Sequence, residues 1–234
     1  MSSVAIPEAS IVVWADLGIN IDRKWEAAYQ RFETPQQEIA KFKRRLVQLG
    51  YMDWAKDTSI VELFCGRGNG IHALTQLGFQ NVEGVDLSLE LLQRYQGSAK
   101  LYAGDCRQLQ FDTSSRDCLI VQGGLHHLPS LPNDLEMCLD EIRRVLKSDG
   151  YFCMVEPWQT PFLKLAHAIS DNPVARRCWD KLDALAEMTE RELSTYTQWL
   201  GMPETILDCI KQRFVVERKK IAFGKLLLRA RPRK

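Results

Sequence analysis

Residues 61–70 read VELFCGRGNG, and few stretches constrain a fold more tightly. An acidic residue on an apolar strand, followed within a few positions by alternating glycines, is how a chain brings its backbone against a nucleotide. Without a Cβ the loop turns tightly and its N–H groups reach the ligand. Gly66, Gly68 and Gly70 follow Glu62 in this way, so a strand should precede them and a helix should follow. Phe64 stands where the common pattern has a fourth glycine.

The flanking sequence supplies those elements. Residues 20–50 read as helical with a break at FETPQQEIAKF, where Thr34 can cap a new helix, Pro35 fits its first position and Gln37 can reach back; Gly50 ends it. Strand and helix signals then alternate: TSIVELF, NGIHALTQLG, NVEGVDL, SLELLQRYQ, KLYAGD, SRDCLIVQ, a helix with Leu135, Leu139, Ile142 and Leu146 on one face, and DGYFCMVEP. Such alternation predicts a doubly wound α/β sheet with parallel strands. Residues 159–212 break the rhythm with helical stretches alone and read as an inserted cap. FVVERKKIAFGKLLLRARP offers two strands about Gly224, too close together for a parallel crossover, so a hairpin is expected.

Composition narrows the class. A chain of 234 residues, 45% hydrophobic, suits one domain with a substantial core. Thirty-one Lys and Arg against 30 Asp and Glu give a net charge of +1, which offers no whole-chain argument for nucleic acid or an anionic membrane. The seven cysteines (Cys65, Cys106, Cys118, Cys138, Cys153, Cys178 and Cys209) show no CxxC spacing, so neither zinc nor a redox dithiol is indicated and no metal is expected. An odd count without a disulfide framework suits a reducing compartment. MSSVAIPEAS lacks the basic start and long apolar run of a signal peptide, and no run of about 18 apolar residues occurs. A soluble, cytoplasmic protein without membrane contact is expected.

Two nucleotide-binding patterns compete at the loop. Gly68, Gly70 and Ala73 also fit a loose dinucleotide GxGxxA, but Phe64, Cys65, Gly66 and Arg67 intervene after the strand. Counted from Gly66, Asp86 lies about 20 residues on, at the end of the second strand, where a carboxylate can accept hydrogen bonds from both ribose hydroxyls.

Over nearly its whole length the chain resembles the class I S-adenosylmethionine-dependent methyltransferases. VELFCGRGNG is similar to the first motif of that family, VEGVDLS to the second, AGDCRQL to the third and RDCLIVQGGLHHLP to the fourth, in order. The resemblance implies a Rossmann-like, seven-stranded doubly wound sheet with a reversed C-terminal strand. It also implies a single domain over 1–234, made of N-terminal helices (1–50), a cofactor-binding core (51–158), a helical cap (159–212) between strands five and six, and a C-terminal hairpin (213–234). S-adenosylmethionine is the implied cofactor. Glu62 would fix the glycine turn or orient the amino group, with Gly66 and Gly68 as inner glycines. Asp86 would hold the ribose, Leu87 would pack on adenine, Asp105 and the Cys106 backbone would meet the adenine edge, and Gln122 would offer its carbonyl to the methionine ammonium.

QGGLHHLP lacks the Pro-Pro or Pro-Cys that the nucleic-acid branches carry at the fourth strand, and is similar to the branch that methylates small metabolites. The expected activity is methyl transfer to an oxygen or nitrogen of a small molecule. An RNA methyltransferase, suggested by Phe64 and the basic tail, and an inactive partner-binding relative are the alternatives. Transfer from a sulfonium needs alignment in a dry pocket more than it needs a base. His126 and His127 either accept a proton or shape the loop, with His127 favoured as the catalytic residue. His167 is structural or a substrate base; Glu156 orients substrate or caps the next turn. Trp158, Phe162, Trp179, Tyr196 and Trp199 pack the cap or line an apolar pocket, and Tyr29 and Arg31 are candidates for the cofactor carboxylate or make surface contacts. The ten Lys and Arg of 211–234, against one acid, Glu217, either attract RNA or an acidic substrate or, as the commoner case, form the solvated face of an edge hairpin protected by charge. The acceptor's identity and the oligomeric state are not encoded in any motif.

Overall fold

A computed structural model describes residues 10–14 and 22–234; residues 1–9, which carry most of the leader reading, and 15–21, which include the start of the expected helical stretch, lie outside it. The described strands are β1 (Ile11–Val13), β2 (Ser59–Leu63), β3 (Asn81–Asp86), β4 (Lys100–Ala103), β5 (Arg116–Gln122), β6 (Leu146–Pro157), β7 (Phe214–Ala222) and β8 (Lys225–Pro232). They form one sheet in the order β1-β4-β3-β2-β5-β6-β8-β7. All pairs are parallel except those of β8, which runs antiparallel to both β6 and β7. The doubly wound α/β sheet with a reversed last strand is therefore present.

The strand count is eight and not seven, because β1 adds a parallel edge strand beside β4 within the segment expected to hold only helices. Three β-branched residues are too short a signal for period-2 patterning. What fastens this strand is tertiary: Trp14 stacks obliquely on Tyr102 and edge-on to Phe111, with ring centroids 4.6 and 4.9 Å away.

Helices cover both faces. α1 (Arg23–Phe32) and α2 (Pro35–Leu49) meet at the break, where Thr34 and Gln37 form the reciprocal capping box and Pro35 starts α2. Gly50, at φ +84°, ends α2 by turning its N–H back to Leu46 and Val47. α3 (Asn69–Gln76) and α2 bury Ile71, Leu74, Phe42, Leu46 and Leu49 against Ile60, Cys118, Ile120, Cys153, Val155 and Leu227. The alternate residues Val61, Leu119, Val121, Phe152 and Met154 face the opposite layer. α4 (Leu89–Leu92) is a single turn, shorter than SLELLQRYQ suggests, because Tyr95 folds back against Gly68 and Gly97. α5 (Asn133–Val145) ends one residue before Leu146, which opens β6 while staying in the same core.

After β6 come α6 (Pro161–Ser170), α7 (Pro173–Cys178), α8 (Asp180–Arg191), α9 (Leu193–Gly201) and α10 (Pro203–Arg213). α8 packs on α1, joined by Arg31–Asp183 at 2.9 Å and Arg191–Asp22 at 2.8 Å, so cap and N-terminal helices close over the carboxyl ends of the strands. α10 leaves the cap: Ile206, Cys209 and Ile210 join the layer of α5 below the sheet. None of the described helices is long and apolar enough to cross a membrane.

The layers approach closely at Gly84 of β3, where an added Cβ would sit 2.6 Å from Ile71 Cδ1 and 2.7 Å from Cys65 Sγ. Gly84→Ala should cost about 1–3 kcal/mol by overpacking. Urea denaturation should show a lower midpoint at unchanged slope.

Candidate active site

β2 delivers the chain to the carboxyl edge of the sheet, where Phe64, Gly66 and Gly68 all adopt positive φ (56°, 52° and 80°). The loop is pinned by a hydrogen bond from the Cys65 N–H to the Val85 carbonyl at 3.1 Å, and by one from the Gly66 N–H to Asp86 Oδ2 at 2.7 Å. Asp86 Oδ1 accepts from the Ser88 N–H at 2.8 Å. Burial raises the Asp86 pKa, and the amides of Ser88, Gly66 and Leu87 pull it back. A carboxylate has about four acceptor positions, so Asp86 keeps acceptor capacity toward the cavity.

The glycines have separate reasons. Gly66 lines the cavity, and a Cβ there would meet only Leu91 at 4.0 Å. Gly68 lies behind the wall, where a Cβ would strike the Tyr95 ring at 2.3 Å; at Gly70 it would fall 1.8 Å from Glu62 Oε1. Of the three only Gly66 lines the cavity; the other two make room for the protein's own side chains.

Phe64 holds a left-handed conformation that suits glycine, and the glycine it displaces stands opposite. A Cβ on Gly124 would lie 2.2 Å from Phe64 Cγ, so the ring occupies the space that Gly124 leaves. The two positions form one packing unit joining the ends of β2 and β5. The departure from the common loop pattern is thus compensated locally.

A cavity of about 950 Å³ opens in front of this loop. Its floor carries polar atoms without close protein partners: Glu62 Oε2 and both amide atoms of Gln122 are buried and make no hydrogen bond of normal geometry. Burial, with the Glu38 charge nearby, raises the Glu62 pKa from 4.5 to about 8, against the pull of the Ile71 N–H. Glu38 accepts from Tyr29 Oη and from Asn69 Nδ2. An orphaned carboxyl and amide of this kind suit a ligand carrying an ammonium. Glu38 and Asn69 were not singled out from the sequence. The signal was available as the helical face Glu38, Lys41, Phe42 and Arg45, which looks amphipathic until the cavity is known.

At the far wall Asp105 is bound by Arg107, whose Nε lies 3.0 Å from each carboxylate oxygen and whose Nη2 lies 2.6 Å from Oδ2. Burial raises the Asp105 pKa, but the Arg107 bonds outweigh it and the net shift is downward. Arg107 also reaches Asp134 at 2.7 Å. Asp105 is therefore an ionised acceptor whose orientation is set by Arg107, with Leu87 and Cys106 beside it in the cavity wall.

The loop after β5 is fastened by Glu156, which neither faces substrate nor caps the turn before Pro157. It is fully buried; Oε1 accepts from the Gly124 and Leu125 N–H groups at 2.8 and 2.9 Å, and Oε2 lies 2.7 Å from His126 Nδ1. His126 is thereby held with Nε2 toward Glu192 Oε2 at 3.8 Å, while His127 Nδ1 lies 3.4 Å from Glu192 Oε1. Burial, with His126 alongside, keeps the His127 pKa well below 6.5. Burial raises that of Glu192 to about 7 against the pull of His126. Donor atoms of His126, His127 and Glu192 all lie within 4.8 Å of one another, the one such grouping among the described residues with metal-ligand chemistry.

The remaining candidates separate. Tyr29 and Tyr196 line the cavity. His167 does not; its Nε2 lies 3.2 Å from Tyr196 Oη and positions that ring. Arg31 points away and pairs with Asp183 and Glu187 on α8, which excludes it as a holder of the cofactor carboxylate. Trp158 and Trp199 are buried, with Trp199 Nε1 donating to the Pro157 carbonyl at 2.8 Å, whereas Phe162 and Trp179 are exposed. The tail cations do not share one solvated face: Lys225 lines the cavity and Arg229 is buried against the end of α2.

Residues 61–154 match the family model described as a methyltransferase domain. The fold, the pinned glycine loop and that match support a class I methyltransferase with S-adenosylmethionine as its cofactor. The chain is 27% identical over 160 residues to a demethylmenaquinone methyltransferase of Staphylococcus aureus, a match covering 64% of this chain and 63% of that relative's length. In fold it is similar to a Pyrococcus horikoshii protein (TM-score 0.66, 18% identity, 90% of this chain and 99% of that one). It is also similar to a SAM-dependent methyltransferase of Methanosarcina mazei (TM-score 0.51, 22% identity, 78% and 95%).

Two outcomes follow from this geometry. Gly124→Ala should destabilise the protein by about 1–3 kcal/mol, and Phe64→Gly in the same chain should recover part of that loss, a coupling measurable in a double-mutant denaturation cycle. Glu62, with its folded pKa raised to about 8 from 4.5, weakens the unliganded fold progressively as pH rises between those values. The stability of the wild type relative to Glu62→Gln should therefore fall from pH 4.5 to 8 and then level off, as read by thermal melts across that range.

Proposed function

We propose that this chain moves a methyl group from S-adenosylmethionine to an oxygen or nitrogen of a small molecule held beneath the cap. The observation that carries the reading is the continuity of one cavity: its wall runs from Asp105, Asp86 and Gly66 past Gln122 to His127 and on to Leu185, Met188, Glu192 and Tyr196 of the cap. A cofactor site and a roofed chamber share the same space. The name of the Staphylococcus aureus relative, which acts on demethylmenaquinone, supports the small-molecule branch.

The orphaned atoms fit the cofactor. Glu62 and Gln122 would hold its ammonium, Asp86 its ribose, and Asp105 with Leu87 and Cys106 its adenine. When bound, S-adenosylmethionine supplies an electrophilic methyl on a sulfonium. The protein's own part is alignment and exclusion of water by α1 and α8. Glu156 locks the loop that presents the two histidines. His127, neutral at pH 7 because its pKa is held low, is placed to take the proton that an acceptor hydroxyl or amine releases. A chamber roofed by α1 and α8 suits a small acceptor better than RNA, and a retained carboxylate set suits an enzyme better than an inactive relative.

Calorimetry with S-adenosylmethionine tests the reading. Binding should be direct, and Asp86→Ala should weaken it by on the order of 2 kcal/mol. In methyl-transfer assays over candidate acceptors, His127→Ala should lower kcat roughly 100-fold at unchanged cofactor affinity. Failure of the wild type to bind the cofactor would end the enzyme reading; salt-dependent retention on RNA would favour the nucleic-acid alternative.

A further inference from the structure

The end of the cavity farthest from the adenine wall is cationic. Lys41 and Arg45 project from α2, and Lys225 projects from the first residue of β8. Lys225 shares a sheet face with Leu227 and Arg229, and α2 lies over that face: Arg229 Nη1 donates to the Leu49 carbonyl at 3.3 Å. Arg45, one turn before Leu49, is thus brought toward Lys225.

Lys41 is paired with Glu33, but Arg45 and Lys225 are poorly compensated from within. The acids around them have partners of their own: Glu33 is paired with Lys41, Glu38 with Tyr29 and Asn69, Glu156 with two amides and His126, and Glu192 lies between the histidines. Among the described residues neither Arg45 nor Lys225 makes an ion pair or a side-chain hydrogen bond, although Arg45 lies over the Phe42 ring at 5.4 Å. Burial, then the Arg45 and Lys41 charges, lowers the Lys225 pKa from 10.5 to about 8. Burial likewise lowers Arg45, and burial followed by the Arg45 charge lowers Lys41. Unpaired like charges in a partly enclosed space are costly unless a ligand completes them.

Lys225 stands well apart from the glycine loop and Glu62. Register leads from Glu62 through Ile120 and Cys153 to Arg229, three strand spacings or roughly 14 Å, and Lys225 lies four residues further along β8, opposite Pro157. On its other side Lys225 is close enough to Glu192, the carboxylate between the two histidines, to lower that acid's pKa. The cations therefore flank the acceptor chamber.

Resting on the methyltransferase reading, we propose that Arg45 and Lys225, with Lys41 behind them, form an anion subsite that selects methyl acceptors carrying a carboxylate or phosphate group. Trp25, Phe42, Leu185, Met188 and Tyr196 provide apolar wall between that subsite and His127. The acceptor class is then an amphipathic acid with a hydroxyl or amine at the opposite end from its anionic group.

The test is calorimetric titration of inorganic phosphate and of benzoate into the wild type saturated with S-adenosylhomocysteine, repeated in Arg45→Met and Lys225→Met, which keep the apolar stems. At least one of the two anions should bind the wild type, with affinity reduced 10-fold or more in both variants while S-adenosylhomocysteine binds as before. Because the substitutions relieve self-repulsion, both variants should melt at or above the wild type without anion, and the bound anion should raise the melting temperature of the wild type alone. The proposal fails if neither anion binds the wild type, or if the variants melt lower without anion. It also fails if they lose S-adenosylhomocysteine yet retain 5′-methylthioadenosine, which lacks the amino-acid carboxylate; the cations would then serve the cofactor. Absence of S-adenosylhomocysteine binding in the wild type would instead count against the methyltransferase reading, and the anion titration without it still reads the subsite.

Discussion

The hydrogen bond from the Gly66 amide to Asp86 is the constraint on which the site depends. It ties the loop after β2 to the end of β3, so the positive-φ turn is held by the neighbouring strand before any ligand arrives. A glycine-rich loop would otherwise sample many backbone states, and ordering it would be charged against binding. With Asp86 in place the cofactor meets a formed cradle. Glu62 and Gly70 continue the arrangement behind it, the carboxyl filling the space that the missing Cβ leaves.

A second level of organisation comes from buried carboxylates that serve other residues. Glu156 closes the β5 loop through two amides and a histidine, and Arg107 turns Asp105 toward the cavity. Phe64 and Gly124 exchange volume across the same two strand ends. None of these contacts need touch a substrate, yet each sets where a reactive group stands. Buried polar atoms of Glu62 and Gln122 are left without partners on the cavity floor, where a ligand can complete them, whereas the orphaned Trp54 Nε1 and Arg229 Nε lie away from it.

The cap gives the site its inside. α8 rests on α1 through ion pairs at its exposed side, whereas the faces turned inward carry Trp25, Leu185, Met188 and Glu192. The cavity is thus bounded by elements far apart in the chain, α1 and α2 before β2 and α8 and α9 after β6. Lys225 enters the same chamber only because the last strand is reversed, which puts its first residue beside the carboxyl end of β6.

What the sequence determined by itself is what depends on near neighbours. Thr34, Pro35 and Gln37 specify the start of α2, Gly224 the hairpin, and the apolar runs the strands. These are local or carried by a regular repeat, so periodicity and turn chemistry reveal them. The edge strand β1, the pairing of Arg31 with α8 on the exposed side, the inward turn of Glu156 to the β5 loop, and the gathering of Lys41, Arg45 and Lys225 were decided only by the tertiary structure. An isolated charge carries no mark of which face will be covered. Whether it meets water, a partner or a cavity is settled when distant segments pack, because burial, and not residue type, sets the cost of leaving it alone.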